Sequence, residues 1–155
     1  MTVEDAATFI LISHPETLGD VERAGVRLPS TLSKPLNETD ARRVYRRLES
    51  HCREDRNVAD GYCYLLSLLG LHVTATPDTT ATLAELNYVR NCFLHRGGIV
   101  DERAAQEAPR LSGLLGTKIR ISEDKSKEYL KAVGDFAQAL LKSAFESRYS
   151  PVVRS

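Results

Sequence analysis

The sequence predicts an all-α protein, and three observations indicate this class. Apolar residues recur at helical spacing through most of the 155 residues. Residue types that favour helix N-termini stand directly before several of these segments. Strand signals are nearly absent, because only residues 116–121 alternate polar and apolar side chains. We therefore expect a bundle of five to six helices with an antiparallel core.

Two short helices are predicted near the N-terminus. Residues 3–12 are amphipathic, and Thr2 is a candidate N-cap with an acidic residue three positions later. Residues 16–23 form a second predicted helix, which Gly25 ends.

The chain is predicted to divide after this segment. Residues 27–36 contain two prolines and several Ser and Thr residues, which indicates a loop. We place a boundary there, between an N-terminal helical arm (1–36) and the helical bundle (37–147). Residues 148–155 are expected to form a flexible C-terminal tail.

The first two bundle helices have clear limits in the sequence. Asn37, with Asp40 three residues later, is predicted to cap a helix that runs through Arg53. The next helix is predicted over residues 58–71. Its inner face is expected to comprise Tyr62, Leu65, Leu66 and Leu69.

A third bundle helix carries the most informative motif of the chain. Residues 74–81 are Thr-rich and contain a proline, so we predict a loop there. Thr82 and Glu85 then form a capping box, and Gly97 and Gly98 end the helix. Its apolar positions are Leu83, Leu86, Val89 and Phe93.

The remaining chain is predicted to hold a short helix, an extended piece and a long helix. Asp101 is expected to cap a helix that reaches Ala108 before a proline. Residues 116–121 are the possible extended piece. Ser122 caps the final helix over residues 123–146. Its apolar stripe is expected to comprise Tyr129, Leu130, Val133, Phe136, Leu140 and Leu141.

Composition excludes several classes of function. Twenty-one basic and 21 acidic side chains give a net charge of zero, so any contact with RNA would have to be local. The apolar runs are too short to span a bilayer, and the acidic N-terminus does not resemble a signal peptide. Three cysteines without CxxC spacing favour reduced thiols. We expect a cytoplasmic protein without membrane association.

Arg90 stands out within the motif helix. On an ideal helical wheel it falls between Leu86 and Leu94, inside the predicted apolar stripe. Burying a guanidinium in that position costs a desolvation free energy on the order of several kcal/mol, unless an anion or a hydrogen-bonding group pairs with it.

Three further polar side chains lie near the end of the same helix. Asn91 and His95 are four residues apart and share a face with Tyr88. The imidazole can transfer a proton near neutral pH, and a guanidinium can hold a phosphate through paired hydrogen bonds. The set of Arg90, Asn91 and His95 therefore suits chemistry at a phosphate. The alternative is that Arg90 is an ordinary ion-pair partner and that His95 stands near the helix end for its favourable dipole interaction.

This stretch resembles the signature of the HEPN superfamily, in which an Arg is followed after four to six residues by a His. Arg90, Asn91 and His95 match that signature, and residues 97–101 (Gly-Gly-Ile-Val-Asp) are similar to the continuation seen in several prokaryotic HEPN families. The resemblance covers residues 38–147. It implies a small helical bundle that dimerises, with Arg90, Asn91 and His95 as the catalytic residues.

The same resemblance implies an activity. Many HEPN domains are metal-independent endoribonucleases that leave a 2′,3′-cyclic phosphate, and they act as toxins or phage-defence effectors. The expected partners are therefore RNA rather than DNA, a second copy of the chain, and an antitoxin or another defence protein, with no cofactor. Because Arg90 and His95 are about 140° apart on one helix, the site would be composite across a dimer.

The resemblance has one departure, and two other readings stay open. HEPN toxins that a partner nucleotidyltransferase neutralises carry a Tyr two residues after the His, where this chain has Gly97. That mode of control is therefore not expected here. The chain could instead be an inactive HEPN-like module that binds RNA or a protein, or a structural dimerisation domain.

Four residues are candidates for RNA binding. Arg42 and Arg46 belong to an arginine cluster that could hold an RNA backbone, although solvated salt bridges along that helix explain the cluster better. Tyr88 could stack on a base or pack at a dimer interface, and Arg96 adjoins His95.

No metal site is predicted. The His and Cys residues of the middle of the chain lack the spacing that metal ligands show, and no carboxylate set would hold magnesium. These residues are His51, Cys52, Cys63 and His72.

Overall fold

The computed structural model describes residues 3–54 and 56–147, and this part of the chain is all-α as predicted. The α-helices are α1 (Val3–Ser13), α2 (Thr17–Arg23), α3 (Glu38–Arg53), α4 (Val58–Leu68), α5 (Pro77–Arg96), α6 (Glu102–Glu107) and α7 (Glu123–Glu146), with a 3₁₀-helix over Pro109–Leu114. The predicted cap Thr2 and the predicted tail 148–155 lie outside the described residues.

Three predicted N-caps are confirmed. The side chains of Asn37, Asp101 and Ser122 accept hydrogen bonds from the backbone N–H three residues later, at 2.9, 2.8 and 3.1 Å. These caps satisfy N–H groups that have no partner within their own helices, which is why α3, α6 and α7 begin where they do. The helix predicted over residues 58–71 ends earlier, at Leu68, because Gly70 adopts a positive φ of 80°.

One hydrophobic core joins the N-terminal half of the chain. Leu11 of α1, Leu48 of α3 and Leu65 of α4 are almost completely buried in it. The predicted N-terminal arm thus packs directly on the bundle, because α1 lies along α3 and shares its core.

A second core fixes the position of α5. Val89 of α5, Leu111 of the 3₁₀-helix and Tyr129 of α7 are buried together in it. Two isolated β-bridges, Ile99 to Lys118 and Val100 to Leu115, connect the segment after α5 to the predicted extended piece. Both α6 and α7 therefore pack against the buried side of α5.

The predicted start of α5 is wrong. The helix begins at Pro77, with Thr76 as the N-cap that accepts from the Thr79 N–H at 3.1 Å. Proline at the first helical position and a threonine directly before it favour this start. The second half of the segment 74–81, which was predicted as a loop, is therefore helical. Thr82 is buried instead of capping, and its hydroxyl accepts a 2.9 Å hydrogen bond from Arg110.

The predicted buried face of α5 is confirmed at Val89, which is buried, but it is wrong towards the end of the helix. Phe93 is 44% exposed and Leu94 is 59% exposed, and Arg90 lies on the exposed surface with them. The buried face runs through Glu85, Val89 and Cys92, because α6 and α7 cover that side of the helix. Arg90 is therefore not enclosed in the core, and its guanidinium is free of the penalty that the helical wheel predicted.

The apolar stripe of α7 is divided between two faces. Tyr129 is buried, and Phe136 and Leu140 are half-buried against the core, as predicted. Leu130, Val133 and Leu141 are exposed instead, because α5 covers only one side of α7. The outward side of α7 is thus apolar and uncovered.

Within residues 3–54 and 56–147, no helix combines the length and the apolar character that a membrane crossing requires.

Candidate functional site

The last two turns of α5 form one wall of a polar cleft. Gly97 adopts the left-handed conformation with φ 61°, and the Gly98 N–H donates to the Cys92 carbonyl at 2.9 Å. This ending stops the helix directly after His95 and Arg96. Cationic side chains here are favoured by the negative end of the helix dipole.

The cleft has a volume of about 350 Å³ and lies between α5, α6 and the end of α3. This volume is at the lower end of the range for small-ligand pockets. The polar side chains that line it are Arg53, Asn87, Tyr88, Asn91, His95, Arg96, Asp101 and Arg103. Its walls come from three separate helices, so the cleft exists only in the folded chain.

The structure brings together four of the predicted site residues. Tyr88, Asn91 and His95 line the same cleft, as their shared helical face predicts, and Arg96 lines it too. Tyr88 is almost buried, whereas His95 is exposed and can meet a ligand. A proton-transferring imidazole thus stands beside an amide that can donate and accept hydrogen bonds.

Arg90 does not belong to this cleft. It is exposed and does not line the cleft, in agreement with the angle of about 140° between positions 90 and 95 on a helix. Within the described chain, the guanidinium of Arg90 makes no hydrogen bond or ion pair. One protomer therefore presents His95 and Arg90 on different sides of α5.

Arginines in the cleft differ in how they are held. Arg96 pairs with Asp101 at 3.3 Å, and Arg103 pairs with Glu107 at 2.9 Å. The side chain of Arg53 makes no ion pair or hydrogen bond with any described residue. Its guanidinium is accordingly the cleft cation most available to an anion.

Sequence reasoning missed Arg53, because Glu49 precedes it by four residues on α3 and such pairs usually form salt bridges. In the structure, the Glu49 carboxylate instead accepts a 2.9 Å hydrogen bond from the hydroxyl of Tyr62 on α4. Asn87 and Arg103 were missed as well. Asn87 stands four residues before Asn91, and this spacing could have indicated it.

The two arginines predicted for RNA binding lie in different places. Arg42 faces α1 and contacts the carboxylates of Glu4, Asp5 and Glu38 at 3.1, 3.3 and 3.0 Å. The hydrogen bonds to Glu38 and Glu4 raise the pKa of Arg42 above its ordinary value. Arg42 thus lies outside the cleft, and its guanidinium is already paired with carboxylates.

Arg46 lines a second recess that adjoins the cleft. This groove has a volume of about 720 Å³ and shares Arg53, Tyr88 and Arg103 with the cleft. Arg46 is exposed and makes no ion pair with the described residues. The cleft and the groove therefore form one continuous depression, with Arg53 at their junction.

Asp101 shapes the rim of the cleft. Its carboxylate caps α6 through the Ala104 N–H and also accepts from Arg96. The hydrogen bond from Ala104, and then the one from Arg96, hold the pKa of Asp101 below its usual value. Asp101 is thus ionised at neutral pH and serves as a cap and an ion-pair partner.

Among the described residues, no group of three or more His, Cys, Asp or Glu side chains is placed to hold a metal ion. The chemistry that the cleft itself can supply is proton transfer by an imidazole and binding of an anion by arginines and amides.

Comparisons with family models, curated proteins and solved structures found no match to this chain.

Proposed function

We propose that the chain is a metal-independent endoribonuclease of HEPN type, active as a homodimer. The observation that carries this proposal is the cleft in which His95 and Asn91 stand beside unpaired arginine. Its role as a toxin or phage-defence effector, with an antitoxin or another defence protein as partner, rests on the motif resemblance alone.

The proposed reaction is an intramolecular transesterification. The RNA 2′-oxygen bonds to phosphorus while the bond from phosphorus to the 5′-oxygen breaks. The proton of the 2′-hydroxyl passes to a base, and a proton is supplied to the leaving 5′-oxygen. His95 performs one of these transfers, and Asn91 orients the phosphate or the imidazole.

Arg90 enters this site from a second protomer. In a two-fold dimer that joins the outward sides of two α5 helices, Arg90 of one copy can approach the His95 cleft of the other. Exposed apolar side chains on α5 and on the neighbouring α7 support such a contact, since Phe93 and Leu94 of α5 and Leu130 of α7 are 44%, 59% and 72% exposed. The guanidinium would then stabilise the charge that builds up on the phosphoryl oxygens.

The test is cleavage of total RNA by the purified protein in the presence of a chelator. We expect products with 2′,3′-cyclic phosphate and 5′-hydroxyl ends. His95→Ala should lower the rate by roughly 10²–10⁴, the usual contribution of a positioned acid or base, and Arg90→Ala by a similar factor.

His72→Ala is the matched control, since His72 is exposed and lies outside the cleft. It should cut RNA at the wild-type rate. Equal cleavage by wild type and by the Arg90→Ala, His95→Ala double variant would place the activity elsewhere. A failure to cut any RNA would favour a catalytically silent module.

A further inference from the structure

We propose that the groove beside the His95 cleft binds an unpaired stretch of RNA that flanks the cut, with Arg53 and Arg46 as its phosphate-binding residues. This inference rests on the proposed function, because it assigns the path of the same substrate. It gives a role to Arg53, which the sequence motif does not include.

The first argument is the placement of free charge. Arg46 and Arg53 are seven residues apart, so they lie on the same side of α3, about 10 Å apart along its axis. Both line the groove, whose carboxylates are Glu49, Glu54 and Glu107, and neither guanidinium makes an ion pair or a hydrogen bond with the described residues. Two unpaired guanidinium groups in a row can bind successive parts of a polyanionic backbone.

The neighbouring arginines show that this freedom is not general on α3. Arg42 is paired with three carboxylates, Arg43 contacts Asp40 at 2.9 Å, and Arg47 donates to the Arg27 carbonyl at 3.2 Å. Among the arginines of α3, only the side chains of Arg46 and Arg53, which face the groove, have no partner among the described residues.

The second argument concerns the form of the nucleic acid. The depression is concave, and the amide side chains of Asn87 and Asn91 line its cleft part along with Tyr88. Amides can form hydrogen bonds with the Watson–Crick edges of bases, which are accessible only where the strand is unpaired. A duplex would present its backbone to the rim and would leave the recess empty.

Arg53 occupies the junction of the cleft and the groove, since it lines both. A phosphate bound there would lie next to the His95 cleft, and a strand that continues along α3 would then reach Arg46. Arg53 is therefore expected to position the substrate at the cleft, and Arg46 to hold the strand farther away.

The test is binding of fluorescein-labelled, 2′-O-methylated oligouridylate to the full chain, followed by anisotropy. Methylation of the 2′-oxygen blocks the proposed cleavage, so the readout does not depend on activity. Arg46→Gln and Arg53→Gln should each weaken binding roughly 3- to 10-fold. Each should also lower the slope of log K against log salt by about 0.7, the value for one lost phosphate contact on a single strand.

Arg47→Gln is the control, because it removes the same charge from the same helix outside the groove. It should bind like wild type, and a methylated hairpin of equal length should bind more weakly than the single strand. Circular dichroism melting of each variant separates lost binding from lost folding.

Four results would overturn the inference. These are wild-type binding by Arg46→Gln and Arg53→Gln, an equal loss in Arg47→Gln, equal binding of the hairpin, and no binding of either RNA. If the groove variants lose binding but wild type cuts no RNA, the groove stands and the proposed cleavage fails. If wild type cuts RNA but the groove variants bind normally, the proposed cleavage stands and the proposed role of the groove fails.

Discussion

The hydroxyl of Tyr129 donates a 2.8 Å hydrogen bond to the carboxylate of Glu85, which is only 4% exposed. Lys125 contacts the same carboxylate at 3.0 Å, and Arg110 approaches it at 3.8 Å. A buried carboxylate is tolerated when it is paired and hydrogen-bonded in this way. This cluster joins α5 to α7 and so holds the helix that carries the cleft.

Tyr129→Phe should destabilise the protein by about 1.5–3 kcal/mol, because it removes a hydrogen bond to a charged acceptor and leaves the carboxylate less satisfied. Chemical denaturation would measure this change. Tyr64→Phe is the control, since the ring of Tyr64 lies under Arg56 at 4.2 Å and that contact does not need the hydroxyl. Equal losses in both variants would contradict the prediction.

The same tyrosine should make stability depend on alkaline pH. Burial, and then the hydrogen bond to Glu85, raises the pKa of Tyr129 above its ordinary value. Below the pKa of an unfolded tyrosine, which is about 10, the contribution of Tyr129 to folding stability is fully present. As the pH rises from there through the pKa of Tyr129 in the folded state, this contribution is lost. Denaturation at about pH 9 and about pH 11 should therefore show a smaller loss for Tyr129→Phe than for wild type. Identical losses would exclude a titrating role for this residue.

A composite site predicts complementation between inactive variants. Arg90→Ala and His95→Ala should each be inactive alone. Once mixed and allowed to exchange subunits, half of the dimers are mixed and each holds one complete site, so about a quarter of wild-type activity should return. A mixture as inactive as its components would show that both residues act within one protomer.

The outward face of α7 should hold the dimer together. Leu130→Glu places a charge on that face and should give a monomer in sedimentation velocity at a concentration where wild type is dimeric. Phe9→Glu is the control, because Phe9 is 69% exposed on α1, close to the 72% of Leu130. A dimer in both variants would place the interface elsewhere.

Truncation of two large apolar residues should have unequal effects. Leu48 is fully buried, so Leu48→Ala should cost about 2–5 kcal/mol of the free energy of unfolding. Phe93→Ala should cost clearly less when denaturation is followed at a concentration low enough to keep the chain monomeric, because its ring is 44% exposed. A larger loss for Phe93→Ala would mean that its helix faces the core, as the helical wheel had indicated.

Helix starts were predictable where the signal is local. Asn37, Asp101 and Ser122 each bond to a backbone N–H three residues away, so a few residues of sequence contain the whole interaction. The start of α5 was missed because two threonines, Thr76 and Thr82, both stand at possible caps. Pro77 after Thr76 is a local signal for the first of them, and the packing of the 3₁₀-helix, which brings Arg110 to Thr82, excludes the second.

Half of the candidate site was predictable for the same reason. Asn91 and His95 share a face by their spacing alone, whatever surrounds the helix. The availability of Arg53 depends on Tyr62, which belongs to another helix and takes up Glu49. The exposure of Arg90 likewise depends on which side of α5 the helices α6 and α7 cover. Both properties are determined by contacts between segments that are distant in the sequence, and residue spacing within one helix does not predict such contacts.

The opposed directions of Arg90 and His95 on α5 have a consequence for dosage. If a second copy must supply the missing guanidinium, the rate of cleavage rises with the square of protein concentration below the dissociation constant of the dimer, and only linearly above it. A cell could then keep the protein harmless simply by keeping it scarce. A modest increase in synthesis would give a disproportionate increase in cut RNA, without any change in the chain itself.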